Sequence, residues 1–492
     1  MAPMDNADLS LDFEACDRAR LARDARFDGR FFIGVKTTGI YCRPICPAPT
    51  SKRTNVRYFP SAAAAAEAGY RPCLRCRPEA APGTPAWLGT SATVRRGLRL
   101  IQEGALDTAS VEGLAERLGI GSRHLHRLFI QHVGASPLAV AQTRRLHFAK
   151  RLIDDTRLPM TDIALASGFG SLRRFNDAFQ RTYGRAPRDL RRDRPKEAAR
   201  ADALTMRLSY RPPYDWAAIR DFFATRAVPG VERVDGDAYT RTVSINGVQG
   251  WIELKPVPGA DALQLSVHEL GPEALFTVLQ RVRQMFDLAA DPQDVRQILQ
   301  KDRLLKPLLK RRPGLRVPGT WDPFELAVRA VLGQQVSVAA ARTFAARIVE
   351  AHGTPLENPV DGLARLFPGA EALAEADLTR IGLTGARART LNGLAKAVAD
   401  GRVNFTGGLA SEEVKAALTA LPGIGAWTAE YVGMRALADP DAFPAEDLVL
   451  RRVAGTKKPL SAKALLEKAE AWRPWRAYAV LHLWRTASEQ KT

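Results

Sequence analysis

At 492 residues the chain is long enough for several domains, each with its own core. Its 46% hydrophobic and 25% charged residues are ordinary for a globular protein, and no apolar run is long enough to span a bilayer, so no membrane is expected as a partner. A formal net charge of +19 favours a polyanion, nucleic acid above all.

The first residues, MAPMDNADLS, lack a basic stretch followed by an apolar core, so no secretory signal is expected. No cysteine follows Cys76, which fits a reducing cytoplasm better than a disulfide-stapled secreted chain. Four of the five cysteines lie in YCRPIC (Cys42, Cys46) and PCLRC (Cys73, Cys76). Cys-x3-Cys followed by Cys-x2-Cys is the spacing of a tetrahedral zinc site, and one zinc per chain is expected. Cys16 stands outside the pattern. The spacing alone leaves two readings open, a closed structural metal or a reactive one. Binding deprotonates all four thiols, giving a site of charge about −2. A metal-held thiolate is a nucleophile at neutral pH. Around it stand Arg43, Lys52, Arg53, Arg57, Arg71, Arg75 and Arg77, which are expected to draw in a phosphate backbone.

Residues 77–90 read as a linker rich in Pro, Ala and Gly. Two helix-turn-helix units follow. In the first, Val111, Leu114, Ala115 and Leu118 recur at helical spacing before a turn at Gly119; its second helix presents Ser122, Arg123, His124 and Arg127. In the second, the turn falls at Gly168 and the following helix carries Ser171, Arg173, Arg174 and Asn176. A basic helix, AQTRRLHFAKRLI, joins them. The histidines of this region (His124, His126, His132, His147) have no acidic or cysteine partner at ligand spacing and are read as packing or DNA-contact residues.

A second charged linker spans 191–202. TRTVSINGVQGWIELKPV then alternates like a small sheet. Beyond Pro313 the chain is mostly helical, with helices expected in PFELAVRAVLGQQVSVAAARTFAARIVEAH and AWRPWRAYAVLHLWRTAS. Between two of the expected helices lies LPGIG, residues 421–425. Gly423 and Gly425 let a hairpin expose successive backbone N–H groups at a helix N-terminus, a phosphate nest that needs no base readout. Twenty residues after Trp427 come Glu446 and Asp447.

Three resemblances give these motifs roles. FDGRFFIGVKTTGIYCRPICPAPT with GYRPCLRC resembles the N-terminal domain of the Ada family, which moves a methyl group from a DNA methyl phosphotriester to the first cysteine of CRPxC, here Cys42. Methylation there removes about one negative charge beside the phosphates and is expected to strengthen DNA binding, most at low salt. Residues 93–192, with FNDAFQRTYGRAP, resemble the AraC-type DNA-binding domain. This implies major-groove reading by Arg123, Arg127, Arg173 and Arg174, and regulation of promoters through RNA polymerase.

Residues 204–489, with RPPYDW, RPGLRVPGTWDPFELAVRAVLGQQVS, LPGIGAWTAEY and WRPWRAYAVLHLW, resemble the AlkA family of helix-hairpin-helix glycosylases. That resemblance implies Asp447 as catalytic carboxylate and Phe222, Trp427, Tyr431 and Trp484 as an aromatic pocket for an extruded, cationic alkylated purine such as 3-methyladenine or 7-methylguanine. It also implies Gln335 at the place where the family has a wedging leucine. Trp427 replaces the lysine of lyase-type members, so hydrolysis without strand cleavage is expected. No cysteines for an iron–sulfur cluster follow, and no Pro-Cys-His motif of a second methyl acceptor exists. Ala445 and Glu446 depart from the family's proline and first aspartate.

The expected fold class is multidomain. A small α/β zinc-binding domain (1–82) precedes an all-α double helix-turn-helix domain (90–195). An α+β glycosylase follows, with a small antiparallel sheet domain (203–314) and an all-α helix-hairpin-helix domain (315–492). The competing reading is a transcription factor with a structural zinc and a non-catalytic C-terminal part that binds damaged double-stranded DNA.

Overall fold

The structure, a computed structural model, describes residues 11–82, 92–191, 203–405, 409–455 and 458–489. The MAPMDNADLS stretch and most of both expected linkers lie outside them. The chain divides into two compact units, residues 1–212 with 260–280, and residues 213–259 with 281–492. Among the described residues no helix is long and apolar enough to cross a membrane.

The first unit begins with a four-stranded sheet in the order Val56–Phe59, Phe32–Val35, Ile40–Cys42, Arg71–Pro72; the first three strands are antiparallel and the last runs parallel to its neighbour. Phe32, Tyr41 and Phe59 form its core with the alanines of the helix Ala62–Glu67, which Ser61 caps by accepting from the Ala64 N–H. The parallel pairing matters most. It aligns Tyr41 with Pro72, so the next residues, Cys42 and Cys73, emerge side by side, and the Cys73 N–H donates to the Tyr41 carbonyl at 3.0 Å.

The two helix-turn-helix units form as expected. Helices Val111–Arg117 and Ser122–Val133 turn at Gly119 (φ 71°), and Met160–Ala166 and Leu172–Tyr183 turn at Gly168 (φ 78°). At Gly168 a side chain is excluded twice over: φ is left-handed, and a Cβ would stand 2.8 Å from the Asp107 carboxylate, which Arg144 and Arg145 hold. The 19-residue helix Pro137–Asp155 joins the units.

Residues 77–82, expected to open a linker, are folded instead. Pro78–Ala80 makes a 3-10 turn, and Arg77, held at φ 53°, places its guanidinium 3.0 Å from Asp154 and 3.1 Å from Asp155. Lys150 bridges Asp154 (2.5 Å) and Glu79 (3.8 Å). Tyr41 Oη meets His147 Nε2 at 2.8 Å. The thiol-bearing sheet is thus docked on the connecting helix through buried charges. The unit also holds an antiparallel strand pair, Ala203–Ser209 with Ala262–His268.

In the second unit the strands Ala238–Ile245 and Val248–Pro256 are closed by Asn246-Gly247, both at positive φ (52° and 84°), the conformation a two-residue hairpin needs. The helical core surrounds Pro323–Leu332, eight of whose ten residues are buried. PFELAVRAVLGQQVSVAAARTFAARIVEAH is two helices, not one: Pro323–Leu332 ends at Gly333, and Val338–His352 restarts at Ser337, which accepts from the Ala340 N–H. Gln335 stands exposed in the break at φ 57°. AWRPWRAYAVLHLWRTAS likewise becomes helical only at Arg476, past Pro474. A short antiparallel pair, Pro355–Val360 with Leu363–Arg365, interrupts the helices.

Candidate functional sites: a thiol cluster and an aromatic pocket

The four sulfurs of Cys42, Cys46, Cys73 and Cys76 all lie within 4.8 Å of one another, and Cys46 and Cys73 are 4.0 Å apart. Tetrahedral zinc with Zn–S bonds of about 2.3 Å needs sulfurs about 3.8 Å apart, so the donor set fits that ion. The thiols differ in surroundings. Cys73 and Cys76 are buried; Cys42 and Cys46 are half-buried. The Arg43 N–H donates to Cys76 Sγ at 3.3 Å. Hydrogen bonding with Cys42 lowers Cys46 to about 7 and lowers Cys73 further, and the amides of Ala48 and Cys76 add to these shifts. Cys42 is pushed up by Cys46 first, then by Cys73 and by burial, against a lowering from Cys76. A cleft of about 450 Å³ opens over Cys42, Cys46 and Cys73, walled by Ile33, Ile40 and Pro72, with Arg71 and Arg75 on its lining.

The ring of basic residues expected here is only partly turned outward. Arg43 is buried, paired with Asp28 and donating to the Cys76 carbonyl at 2.9 Å. Arg77 belongs to the ion network described above, and Arg53 pairs with Glu14. Lys52, Arg57, Arg71 and Arg75 remain exposed. Spacing shows which residues are near the sulfurs, but not which way a long cation turns.

In the helix-turn-helix units Arg123 and Arg127 are exposed on Ser122–Val133, and Arg173 and Arg174 on Leu172–Tyr183, while Leu125, Phe129, Phe175 and Phe179 of the same helices are wholly buried. Arg127 also bonds His124 Nδ1 at 3.2 Å.

In the second unit LPGIG forms a hairpin between Ser411–Thr419 and Ala426–Arg435. Gly423 has φ 85°, and a Cβ there would lie 2.1 Å from Thr390 Oγ1. Ile424 is buried and anchors the tip, while Gly423 and Gly425 stay exposed, with no backbone acceptor for their N–H groups among the described residues. One turn into the following helix, Trp427 and Tyr431 stack (centroids 5.2 Å, planes 11° apart), and Trp484 leans on Tyr431 at 6.1 Å.

Asp447 caps the helix Leu448–Ala454 by accepting from the Leu450 N–H at 2.9 Å. Its carboxylate also accepts from Trp427 Nε1 (2.9 Å) and Trp484 Nε1 (3.3 Å). Glu446 points to solvent and shares none of these bonds. Phe222, Trp427, Tyr431, Asp447 and Trp484 line one cavity of about 600 Å³.

Two cations there went unnoticed in the sequence. Arg226 lies 3.8 Å over the Phe222 ring, and Arg435 lies 4.7 Å over it and donates to Tyr431 Oη at 2.6 Å. Burial lowers Arg226 to about 10. Burial pushes the Tyr431 phenol up, but Arg435 and Arg226 pull it down, and the cations prevail. The signal was present: each arginine follows its aromatic by four residues, within the helix Ala426–Arg435 for Arg435 and just past the end of Trp216–Ala224 for Arg226.

Models of four families match this chain: the metal binding domain of Ada over residues 15–79, a helix-turn-helix domain over 114–193, the AlkA N-terminal domain over 205–322, and the HhH-GPD superfamily of base excision DNA repair proteins over 328–477. A probable bifunctional transcriptional activator/DNA repair enzyme AlkA of Mycobacterium tuberculosis is 43% identical over 485 residues, 96% of each chain. DNA-3-methyladenine glycosylase 2 of Escherichia coli is 34% identical over 287 residues, 58% of this chain and 98% of its own. The structure of a 3-methyladenine DNA-glycosylase from Archaeoglobus fulgidus superposes with a TM-score of 0.51 at 24% identity, over 57% of this chain and 98% of its own, a likeness of fold. With the thiol cluster, two helix-turn-helix units and a hairpin-borne pocket in one polypeptide, and with that mycobacterial relative matched over nearly its whole length, the chain belongs to the family of bifunctional transcriptional activator/DNA repair enzymes.

Proposed function

We propose that the protein senses DNA methylation, regulates genes in response, and excises alkylated bases by hydrolysis. The observation that carries the glycosylase reading is Asp447, clamped by two indole N–H groups and a helix amide on the wall of an aromatic cavity. A carboxylate offers about four lone-pair directions, so three donors fix its plane and leave one free for a water. The hairpin amides of Gly423 and Gly425 hold a backbone phosphate. A cationic purine such as 3-methyladenine or 7-methylguanine, turned out of the stack, is received by Trp427, Tyr431, Trp484 and Phe222. As the glycosidic bond lengthens, positive charge grows on the sugar; Asp447 stabilises it and orients the attacking water. The test is release of methylated purines from duplex DNA by the purified full chain. Absence of release beside a working control glycosylase overturns this reading.

In the first unit one zinc is held by Cys42, Cys46, Cys73 and Cys76, and it keeps the sulfurs ionised at neutral pH when bound. Cys42 Sγ attacks the methyl carbon of a methyl phosphotriester; the S–C bond forms, the C–O bond breaks, and a phosphodiester anion leaves. Support comes from surroundings: Cys73 and Cys76 are buried, and amides act on Cys46, Cys73 and Cys76, which makes those thiolates the poorer nucleophiles. Arg71 and Arg75 meet the phosphates. Arg123, Arg127, Arg173 and Arg174 read promoter DNA, with RNA polymerase as partner. Mass spectrometry after incubation with methylated DNA is expected to find one added methyl on the Cys42 peptide; a methyl on another ligand overturns the assignment of acceptor.

A further inference from the structure

The break between the helices Pro323–Leu332 and Val338–His352 carries Gln335, exposed at φ 57°, at the place where the AlkA resemblance implies a wedging leucine. Its neighbour Gln334 is used differently. Gln334 Nε2 donates to the Gly423 carbonyl at 3.0 Å and to Thr428 Oγ1 at 3.0 Å. Both donor hydrogens of one amide are thus spent on the hairpin and on the helix that follows it. The main-chain carbonyl of Gln334 accepts from Arg387 Nη2 at 2.7 Å. Arg387 stands on the helix Gly385–Ala399, the helix whose Thr390 crowds Gly423. Three elements meet at this one residue.

We infer that Gln334 is a positioning residue for base extrusion: it ties the loop bearing Gln335 to the hairpin that grips the phosphate, so that seating the backbone aims Gln335 into the duplex. The inference rests on the glycosylase reading above. The physical argument has two parts. Gln335 is held at φ 57° between fixed neighbours, Gln334 on one side and the helix-capping Ser337 on the other, so the plane of the Gln334–Gln335 peptide sets where its side chain points. An amide side chain gains little by burial between bases, so orientation has to supply what apolar bulk cannot. Thr428 is buried and adjoins Trp427, so the same clamp also reaches the pocket wall.

The test uses the full chain and two single-turnover substrates, 7-methylguanine in a paired duplex and 7-methylguanine in a one-nucleotide bulge, where extrusion costs little. Gln334→Met keeps the length and removes both donor bonds; Gln334→Glu keeps the shape and sets a carboxylate against the Gly423 carbonyl. Two side-chain hydrogen bonds together correspond to about a tenfold loss or more on the paired substrate. The loss on the bulge is expected to stay under about threefold, since extrusion no longer limits the rate. A 2-aminopurine beside the lesion reports extrusion directly, and its fluorescence rise on binding is expected to shrink in both variants. Equal losses on both substrates mean ordinary damage to the fold and overturn the inference, as does an unchanged rate on the paired one. If the wild-type chain excises neither base yet gives a Gln334-dependent fluorescence rise, the glycosylase reading fails and the clamp stands.

Discussion

The thiol cluster and the aromatic pocket are built on opposite plans. The thiols come from strand ends and loops, are brought together by one parallel strand pairing, and open to a cleft. The pocket's groups come from helices far apart in sequence, and each polar atom is tied to another: Asp447 to two indoles, Tyr431 to Arg435, Arg435 to the carbonyls of Pro318 and Gly319. On the proposed roles, a thiol consumed once needs access, whereas a carboxylate that turns over needs fixed geometry. Local sequence therefore specifies the first site, and tertiary packing specifies the second.

Substitutions that spare one site and ruin the other test this contrast most sharply. Asp447→Asn keeps the helix cap, since asparagine caps as well as aspartate, and removes the charge. Excision is expected to fall about a thousandfold or more, the scale of losing a transition-state electrostatic partner, while methyl uptake at Cys42 and DNA affinity stay near wild type. Excision rates of the purified variant compared with gel-shift affinities decide it. The reciprocal change, Cys73→Ala with Cys76→Ala, is expected to abolish zinc binding and methyl uptake and to leave excision unchanged. Metal analysis giving one zinc in that double variant removes the four-cysteine assignment.

A smaller effect is expected at the hairpin. Gly423→Ala meets both a left-handed φ and Thr390, and is expected to weaken binding to undamaged duplex about tenfold, or about 1–2 kcal/mol. Equal affinity in a titration would show that the hairpin does not carry the phosphate.

The last prediction concerns pH, and its sign differs between a buried histidine and a buried carboxyl. Burial, aided by Arg151, depresses His147 to about 4, below its unfolded value of about 6.5. The neutral form is the folded one, so this contribution is present above pH 6.5 and is lost as pH falls toward 4. Burial, opposed by Arg316 and by hydrogen bonds from Tyr478 and the Val317 amide, raises Asp287 to about 6 from about 3.8. There the protonated form is favoured on folding, so its contribution is present below about pH 4 and is lost as pH rises through 6. Each amounts at most to about 3 kcal/mol. Seven of the eight tryptophans fall in the second unit, so fluorescence-detected urea unfolding follows that unit. Asp287→Asn is expected to make the second unit's stability rise more from pH 4 to 6, because His482, which burial depresses to about 4, acts there in the opposite sense; His147→Gln is expected to reduce the first unit's rise over the same range, followed by hydrogen exchange. A slope of the second unit's stability between pH 4 and 6 that Asp287→Asn leaves unchanged contradicts the Asp287 assignment.

Sequence reading went furthest where chemistry and chain are neighbours. The pairs Cys42/Cys46 and Cys73/Cys76, the turns at Gly119 and Gly168, and the LPGIG hairpin each declare themselves within a few residues, because ligand spacing and left-handed turns are local constraints. The roles of Trp427 and Asp447 came only through resemblance, and nothing in the sequence foretold that Trp427, 20 residues away, and Trp484, 37 residues away, would both bond Asp447. Long cations were the least legible. Arg43 and Arg77 stand beside ligand cysteines yet turn inward, since buried Asp28, Asp154 and Asp155 outbid solvent for them. The Gly333–Ser337 break was hidden as well, because every residue in it fits a helix pattern until Gln335 must adopt a left-handed conformation.

The ion network around Arg77 bears on how such a protein can be assembled from parts. Arg77 and Glu79 belong to the thiol-bearing segment, whereas Lys150, Asp154 and Asp155 belong to the helix that joins the DNA-reading units. Neither piece can be exchanged for an unrelated one without stranding buried charge, at about 3–5 kcal/mol for a broken pair. A gene fragment cut after Pro82 would therefore yield two proteins that each expose acids and bases meant for the other. Recombination that shuffles these modules is constrained to move them as a pair.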